Sequence, residues 1–205
     1  MVMDVKVLVT GFEPFGGEEI NPSWRAVEAL PGELNGATLL KIQLPVSFER
    51  VRKILPRLIA EERPDIVLLT GQAGGRPNIT VERVAINVMD STMPDNDGLK
   101  PEDEPVFEGA PDAYFATIPV KGVVRALRNA GIPAGVSNTA GTYVCNTAMF
   151  TALHTIAVSG MEAKAGFIHV PFSHEQALDK PRPSMAQKTI NEAIRLAVET
   201  VMGAR

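Results

Sequence analysis

The chain of 205 residues contains one cysteine, Cys145, so no disulfide can close within it, which fits a reducing, cytoplasmic compartment. A metal centre built on several thiolates is excluded as well, and His154, His169 and His174 do not form a zinc-ligand pattern. We therefore expect no metal and no organic cofactor. Long apolar runs are missing too: stretches such as residues 66–69 fall far short of the ~20 residues that a membrane helix needs. The N-terminus, Met1-Val2-Met3-Asp4, enters an apolar strand without a basic-then-apolar leader. Basic residues are neither numerous nor clustered: 20 Lys and Arg face 24 Asp and Glu, for a net charge of −4. That balance argues against nucleic acid or an anionic membrane as the main partner. What remains is a chain with 45% hydrophobic and 21% charged residues, enough to bury a core, and we expect residues 1–205 to form a single domain.

Short apolar, β-branched runs alternate with amphipathic segments along the chain. Residues 5–10, 37–44, 65–70, 79–87, 134–138 and 165–169 read as strands. Helices are expected from Asn21-Pro22 to about residue 30, where asparagine caps and proline takes the first helical position. Ser47 caps another to about residue 62, which Pro56 should kink or split. Further helices fall over residues 120–130, before Gly131, and from about Cys145 to residue 158. Ser184, with Gln187 three residues on, reads as a capping box for a last helix ending near residue 202. Residues 91–115, rich in Pro, Gly, Asp and Glu, form an excursion. The alternation predicts an α/β fold, a three-layer αβα sandwich around a mixed, mostly parallel sheet.

In such sheets functional groups gather at the carboxyl ends of the strands. Cys145 falls at the expected start of a helix, and His169 is the last residue of an expected strand. If that strand and the one over 134–138 are parallel, both side chains emerge at one sheet edge. An ordinary thiol, pKa ~8.5, is about 3% thiolate at pH 7. A helix N-terminus and an imidazolium that brought it to ~6.5 would make it roughly three-quarters thiolate. His154 falls on the apolar helix too far along for direct proton transfer and reads as structural or surface. His174, in a polar loop, is the weaker alternative base. For the group that orients the imidazole, Glu82, which interrupts an apolar strand, and Asp95 are the candidates. Two glycine-rich turns, Gly11 to Gly17 and Gly71 to Gly75, match neither the dinucleotide nor the P-loop spacing, so phosphate binding is not expected.

Several longer motifs occur in order: Gly11-Phe12-Glu13-Pro14-Phe15-Gly16-Gly17, Asn21-Pro22-Ser23-Trp24, Gly71-Gln72-Ala73-Gly74-Gly75, Ile79-Thr80-Val81-Glu82-Arg83-Val84-Ala85-Ile86-Asn87, Thr139-Ala140-Gly141-Thr142-Tyr143-Val144-Cys145-Asn146 and Gly166-Phe167-Ile168-His169-Val170-Pro171. Together they resemble the pyroglutamyl peptidase type I family of cysteine exopeptidases across the whole chain. The resemblance implies that Cys145 is the nucleophile, His169 the general base and acid, and Glu82 the third member of a triad. It implies as substrates peptides with an N-terminal pyroglutamate, held in an apolar slot formed by Phe12, Phe15, Tyr143, Val144 and Met149, with Gln72 as a partner for the lactam. It also implies a homodimer or homotetramer. One departure stands out: Thr92, in Ser91-Thr92-Met93-Pro94-Asp95-Asn96, occupies the place of a family arginine near the active site, which points to shifted kinetics.

Overall fold

A computed structural model describes residues 5–203 of the chain. Strand β1 (Val5–Phe12) leads through α1 (Pro22–Glu28) to a two-residue strand β2 (Glu33–Leu34) and to β3 (Ala37–Leu44). Helix α2 (Phe48–Glu62) and strand β4 (Ile66–Gln72) follow, then β5 (Ile79–Glu82), β6 (Val84–Ile86) and β7 (Ala113–Phe115). The second half runs α3 (Val120–Asn129), β8 (Ala134–Ser137), α4 (Val144–Ser159), β9 (Lys164–Val170), β10 (Phe172–Ser173), β11 (Ser184–Met185) and α5 (Gln187–Gly203). The central sheet has seven strands in the order β2-β3-β1-β4-β9-β5-β8. β3, β1, β4 and β9 are mutually parallel; β2 is antiparallel to β3, and β5 is antiparallel to β9 but parallel to β8. The sheet is mixed and mostly parallel, as expected.

Side chains alternate across each strand, and both faces are covered, which is why the strands read as unbroken apolar runs. Val7, Val9, Leu68 and Ile168 point to one face, where they pack against α1, α3 and α5. Leu8, Val67, Leu69 and Phe167 point to the other, against α2 and α4. From β1 the chain crosses by α1 on the first face to β3; from β3 it returns by α2 on the second face to β4. β1 and β4 are neighbours whose connections depart on opposite faces, and their carboxyl ends frame the crevice where ligands bind in open α/β sheets.

Local chemistry explains most boundaries. Asn21 caps α1 by accepting the Ser23 N–H at 3.0 Å, and Ser47 caps α2 by accepting that of Arg50 at 3.2 Å. Pro56 does not split α2. The buried stripe Val51, Leu55 and Ile59 continues on both sides of it, and this burial offsets the ~3 kcal/mol that an interior proline costs. The stretch 79–87 is not one strand. It breaks at Arg83, whose N–H donates to the Ser137 carbonyl at 2.8 Å, and β6 leaves the sheet to pair with β7 from the 91–115 excursion. Nor does Ser184 cap the last helix. It belongs to β11 opposite Phe172, its hydroxyl meets His174 Nδ1 at 2.9 Å, and α5 starts at Gln187. The capping box lies instead at Ser173 and Gln176, around the 3₁₀ turn His174–Ala177. No helix among the described residues is long and apolar enough to cross a membrane.

Candidate active site

A cavity of about 490 Å³ opens at the crevice between the carboxyl ends of β1 and β4. Phe12, Phe15, Val46, Tyr143 and Val144 give it an apolar wall; Gln72, Arg76, Cys145 and His169 reach it as well. Phe15 and Tyr143 pack with ring centroids 6.1 Å apart, and Tyr143 meets Phe48 edge-on at 5.3 Å. A wall built of aromatic rings braced by other rings keeps its shape without a ligand.

Cys145 is the second residue of α4, whose N-cap residue Tyr143 makes no side-chain capping bond. The first intrahelical bond at this end is Thr147 N–H to the Tyr143 carbonyl, which leaves the N–H groups of Val144, Cys145 and Asn146 without intrahelical partners. Asn146 fixes the helix start from behind. Its fully buried side chain accepts the Ile86 N–H at 3.0 Å and donates to the Ile86 and Val88 carbonyls, both at 2.9 Å. The Cys145 sulfur lies over Gly71: a methyl group on that glycine would sit 2.9 Å from Sγ. In the parallel β4/β9 ladder Gly71 is paired with His169, so the two residues share a sheet face. Thiol and imidazole are thereby brought to one spot.

They do not meet for the reason expected. β8 runs antiparallel to β9: Gly135 is level with Thr80 and His169, and Ser137 at its end lies level with Glu82 and Phe167, two residues past His169 toward the start of β9. The loop 138–143 returns the chain to the cavity, and Cys145 reaches the sheet edge from that loop.

Glu82 is paired with Phe167 and Thr80 with His169 across the antiparallel β5/β9 ladder, so the carboxylate projects on the face that carries the imidazole. Glu82 Oε1 meets His169 Nδ1 at 2.8 Å, and both residues are buried. Arg76 Nη1 donates to the same Oε1 at 2.6 Å and to Thr80 Oγ1 at 2.6 Å, and Nη2 donates to the Thr139 carbonyl at 3.3 Å. Burial alone would raise the Glu82 pKa, but the His169 hydrogen bond and charge, then hydrogen bonds from Ser137 and Arg76, hold it below the ordinary glutamate value. An ionised Glu82 can only accept, so Nδ1 of a neutral His169 carries the proton and Nε2 is left as an acceptor. Burial pushes His169 below its ordinary value, with Arg76 adding to this and Glu82 opposing it. Burial and the Glu82 charge push the Cys145 thiol up to about 12, the reverse of the lowering expected. The helix start is there, but the neighbouring imidazole is neutral at rest, and a thiolate here would face the Glu82 carboxylate.

The remaining residues sort by place. Met149 is fully buried in the core and does not line the cavity: four residues beyond Cys145, it sits one turn further along the same helix face. The Gln72 side chain is on the face opposite Gly71, where its Oε1 accepts from Gln176 Nε2 at 3.0 Å. Gln176 also donates to Glu18 Oε2 at 3.1 Å, and Glu18 is held by Arg182 at 2.8 Å. The Ala73 N–H donates to the Val170 carbonyl, so by alternation the N–H and C=O of Gln72 point away from β9, toward the end of β1. Asp95 does not orient His169. Its carboxylate accepts the N–H groups of Phe48, Asp97 and Leu99 at 2.8–3.0 Å and so ties the excursion to the start of α2. His154 is structural, bonded to the Tyr114 hydroxyl at 3.0 Å and stacked on Phe107, and His174 does not line the cavity. Thr92 does line it. Arg76, Asn146 and Gln176 went unmarked in the sequence; the one available signal was a cation next to the Gly71–Gly75 turn, six residues before an acid in an apolar strand.

Residues 5–204 match the family model described as pyroglutamyl peptidase. The pyrrolidone-carboxylate peptidase of Thermococcus kodakarensis is 78% identical over 96% of this chain and 96% of its own, and that of Bacillus licheniformis 47% identical over 95% and 91%. Among solved structures, a mutant pyrrolidone carboxyl peptidase from P. furiosus superposes with a TM-score of 0.94 at 43% identity, covering 98% of this chain and 99% of its own. The pyroglutamyl peptidase I from Bacillus amyloliquefaciens gives 0.94 at 42% identity, covering 97% and 95%. With its cysteine, histidine and glutamate gathered at the β1/β4 crevice, and with likeness of this extent along its whole described length, the chain belongs to the pyroglutamyl peptidase family.

Proposed function

We propose that this chain is a cysteine exopeptidase that removes an N-terminal pyroglutamyl residue from peptides through a thioester on Cys145. The observation that carries the reading is a thiol at a helix start, over Gly71, beside an imidazole whose Nδ1 is bonded to a buried carboxylate. The pyroglutamyl ring is small, flat and uncharged, which suits the aromatic slot of Phe12, Phe15 and Tyr143. The Gln72 backbone N–H and C=O, directed to the β1 side, complement the carbonyl and N–H that a lactam presents side by side. An N-terminal proline has no such carbonyl and brings a charged amine, which an apolar slot disfavours.

In the reaction, His169 Nε2 takes the thiol proton as Cys145 Sγ bonds to the carbonyl carbon that joins pyroglutamate to the next residue. The thiol is neutral at rest, so proton transfer accompanies attack. Nδ1–H stays on Glu82, which stabilises the imidazolium. The unpaired N–H groups at the start of α4 supply donors for the developing oxyanion. The imidazolium then protonates the leaving amine, the C–N bond breaks and the acyl group remains on sulfur. Water attacks the thioester with His169 as base, releasing 5-oxoproline and the thiol. The same reading makes the 205 residues one catalytic domain, working as a dimer or tetramer in the cytoplasm without cofactor.

The test is product analysis. Peptides differing only in an N-terminal pyroglutamate, proline or glutamine are incubated with the protein and followed by mass spectrometry. Release of 5-oxoproline and a peptide one residue shorter, from the first peptide alone, is expected. Equal cleavage of the prolyl peptide, or none of any, would overturn the reading.

A further inference from the structure

Arg76 is the one Lys or Arg among the described residues that line the cavity, and Thr92 stands where the family resemblance would place another cation. Its guanidinium does not extend into the open space. It bridges two segments, meeting Glu82 Oε1 on β5, Thr80 Oγ1 on the same strand and the Thr139 carbonyl in the loop that leads to Cys145. The oxygen it holds is the one that receives His169 Nδ1. Its side chain is 31% exposed, whereas that of Glu82 is fully buried, so water solvates part of the arginine's charge while the carboxylate depends on its protein partners.

We infer that Arg76 is a positioning residue of the reaction, acting on His169 through Glu82 by fixing the carboxylate and sharing its charge. This rests on the assignment of His169 as the base. Without the arginine, the whole negative charge of a buried carboxylate falls on one imidazole. That favours the imidazolium and removes the acceptor needed to deprotonate the thiol. The groups around His169 are Glu82 on β5, Arg76 just after the glycine-rich turn and Cys145 on α4, with Asp90 and Tyr143 elsewhere on the cavity wall. Of these Arg76 is the only cation, and its charge works against protonation of the histidine.

The experiment uses the full chain with Arg76→Met, Arg76→Gln and Arg76→Lys. The glutamine variant keeps hydrogen-bonding capacity without charge and serves if the methionine variant fails to fold. His169 is titrated directly by NMR of histidine-labelled protein, where only three imidazoles contribute. In parallel, kcat/KM on a pyroglutamyl amide is followed against pH. Both neutral variants should move the His169 titration, and with it the acid limb of the profile, upward by about one pH unit. Well down the acid limb, below both titration points, this approaches a tenfold loss, with KM changed less than about twofold. The lysine variant should recover most of the shift. Superimposable titrations in wild type and the neutral variants would overturn the inference, as would a lysine variant no different from methionine. A titration that moves with the charge at position 76 in a protein without peptidase activity would uphold the positioning role and refute the peptidase reading.

Discussion

Gly71→Ala adds one methyl group at the point where the sheet meets the nucleophile. Built on the existing backbone, that methyl would lie 2.9 Å from Cys145 Sγ and 2.8 Å from Phe167 Cζ. Ordinary contact between such atoms is about 3.5–4.0 Å, so each neighbour must retreat by roughly 0.8 Å. Phe167 is fully buried against Phe12, with centroids 6.5 Å apart, and has little room to move. The sulfur can turn about χ1 toward the open cavity, so most of the displacement falls on it. A shift of this size at a reacting atom costs on the order of 100-fold in rate, while overpacking costs about 1–3 kcal/mol in stability. The alanine variant should therefore fold, bind a non-hydrolysed pyroglutamyl analogue with an affinity near that of wild type, and lose about two orders of magnitude in kcat. Steady-state kinetics on a fluorogenic pyroglutamyl amide, with calorimetric titration of the analogue, measures both. A variant whose kcat stays within about twofold of wild type would show that the thiol is not held where Gly71 allows it, and the geometric argument would fall.

Two further outcomes concern the frame of the site. Asn146→Ala removes a fully buried side chain that makes three hydrogen bonds to residues 86 and 88, so it should cost about 2–3 kcal/mol in urea unfolding; a loss below about 0.5 kcal/mol would contradict the role given to it. Glu82, held in the folded state below its ordinary 4.5, contributes stability that is present above that value and is lost as pH falls through the lower folded pKa. The stability gap between wild type and Glu82→Gln should thus be open at pH 7 and narrow progressively as pH falls below 4.5; a gap independent of pH would contradict the assignment.

The layers of this fold were legible because burial on both faces leaves an unmistakable mark. Residues 66–69 and 165–168 are apolar without a break, and the caps Asn21 and Ser47 sit where the helices start. Strand direction left no such mark. Nothing in residues 134–137 distinguishes a strand parallel to β9 from one antiparallel to it, and the assumption of a parallel pair failed there. Ser184 and Gln187 have the spacing of a capping box, but the serine was claimed by pairing with Phe172, a contact made at long range. In the site, the cysteine and histidine could be picked out from their expected places at a helix start and a strand end. Glu82 came from the family resemblance, because a lone acid in a strand is as compatible with solvent as with a buried partner. Arg76 and Gln176 stayed hidden for the same reason: their roles lie in partners that only the folded chain brings near.

The most direct test of the account is hydrolysis of a pyroglutamyl amide before and after alkylation of the thiol, beside Cys145→Ser. Because the chain has a single cysteine, one equivalent of iodoacetamide label counted by mass spectrometry reports on that residue alone. The account predicts turnover that falls in proportion to label incorporated and is absent in the serine variant, with the fold of both unchanged by circular dichroism. Turnover that persists in fully alkylated protein, or in Cys145→Ser, would contradict it.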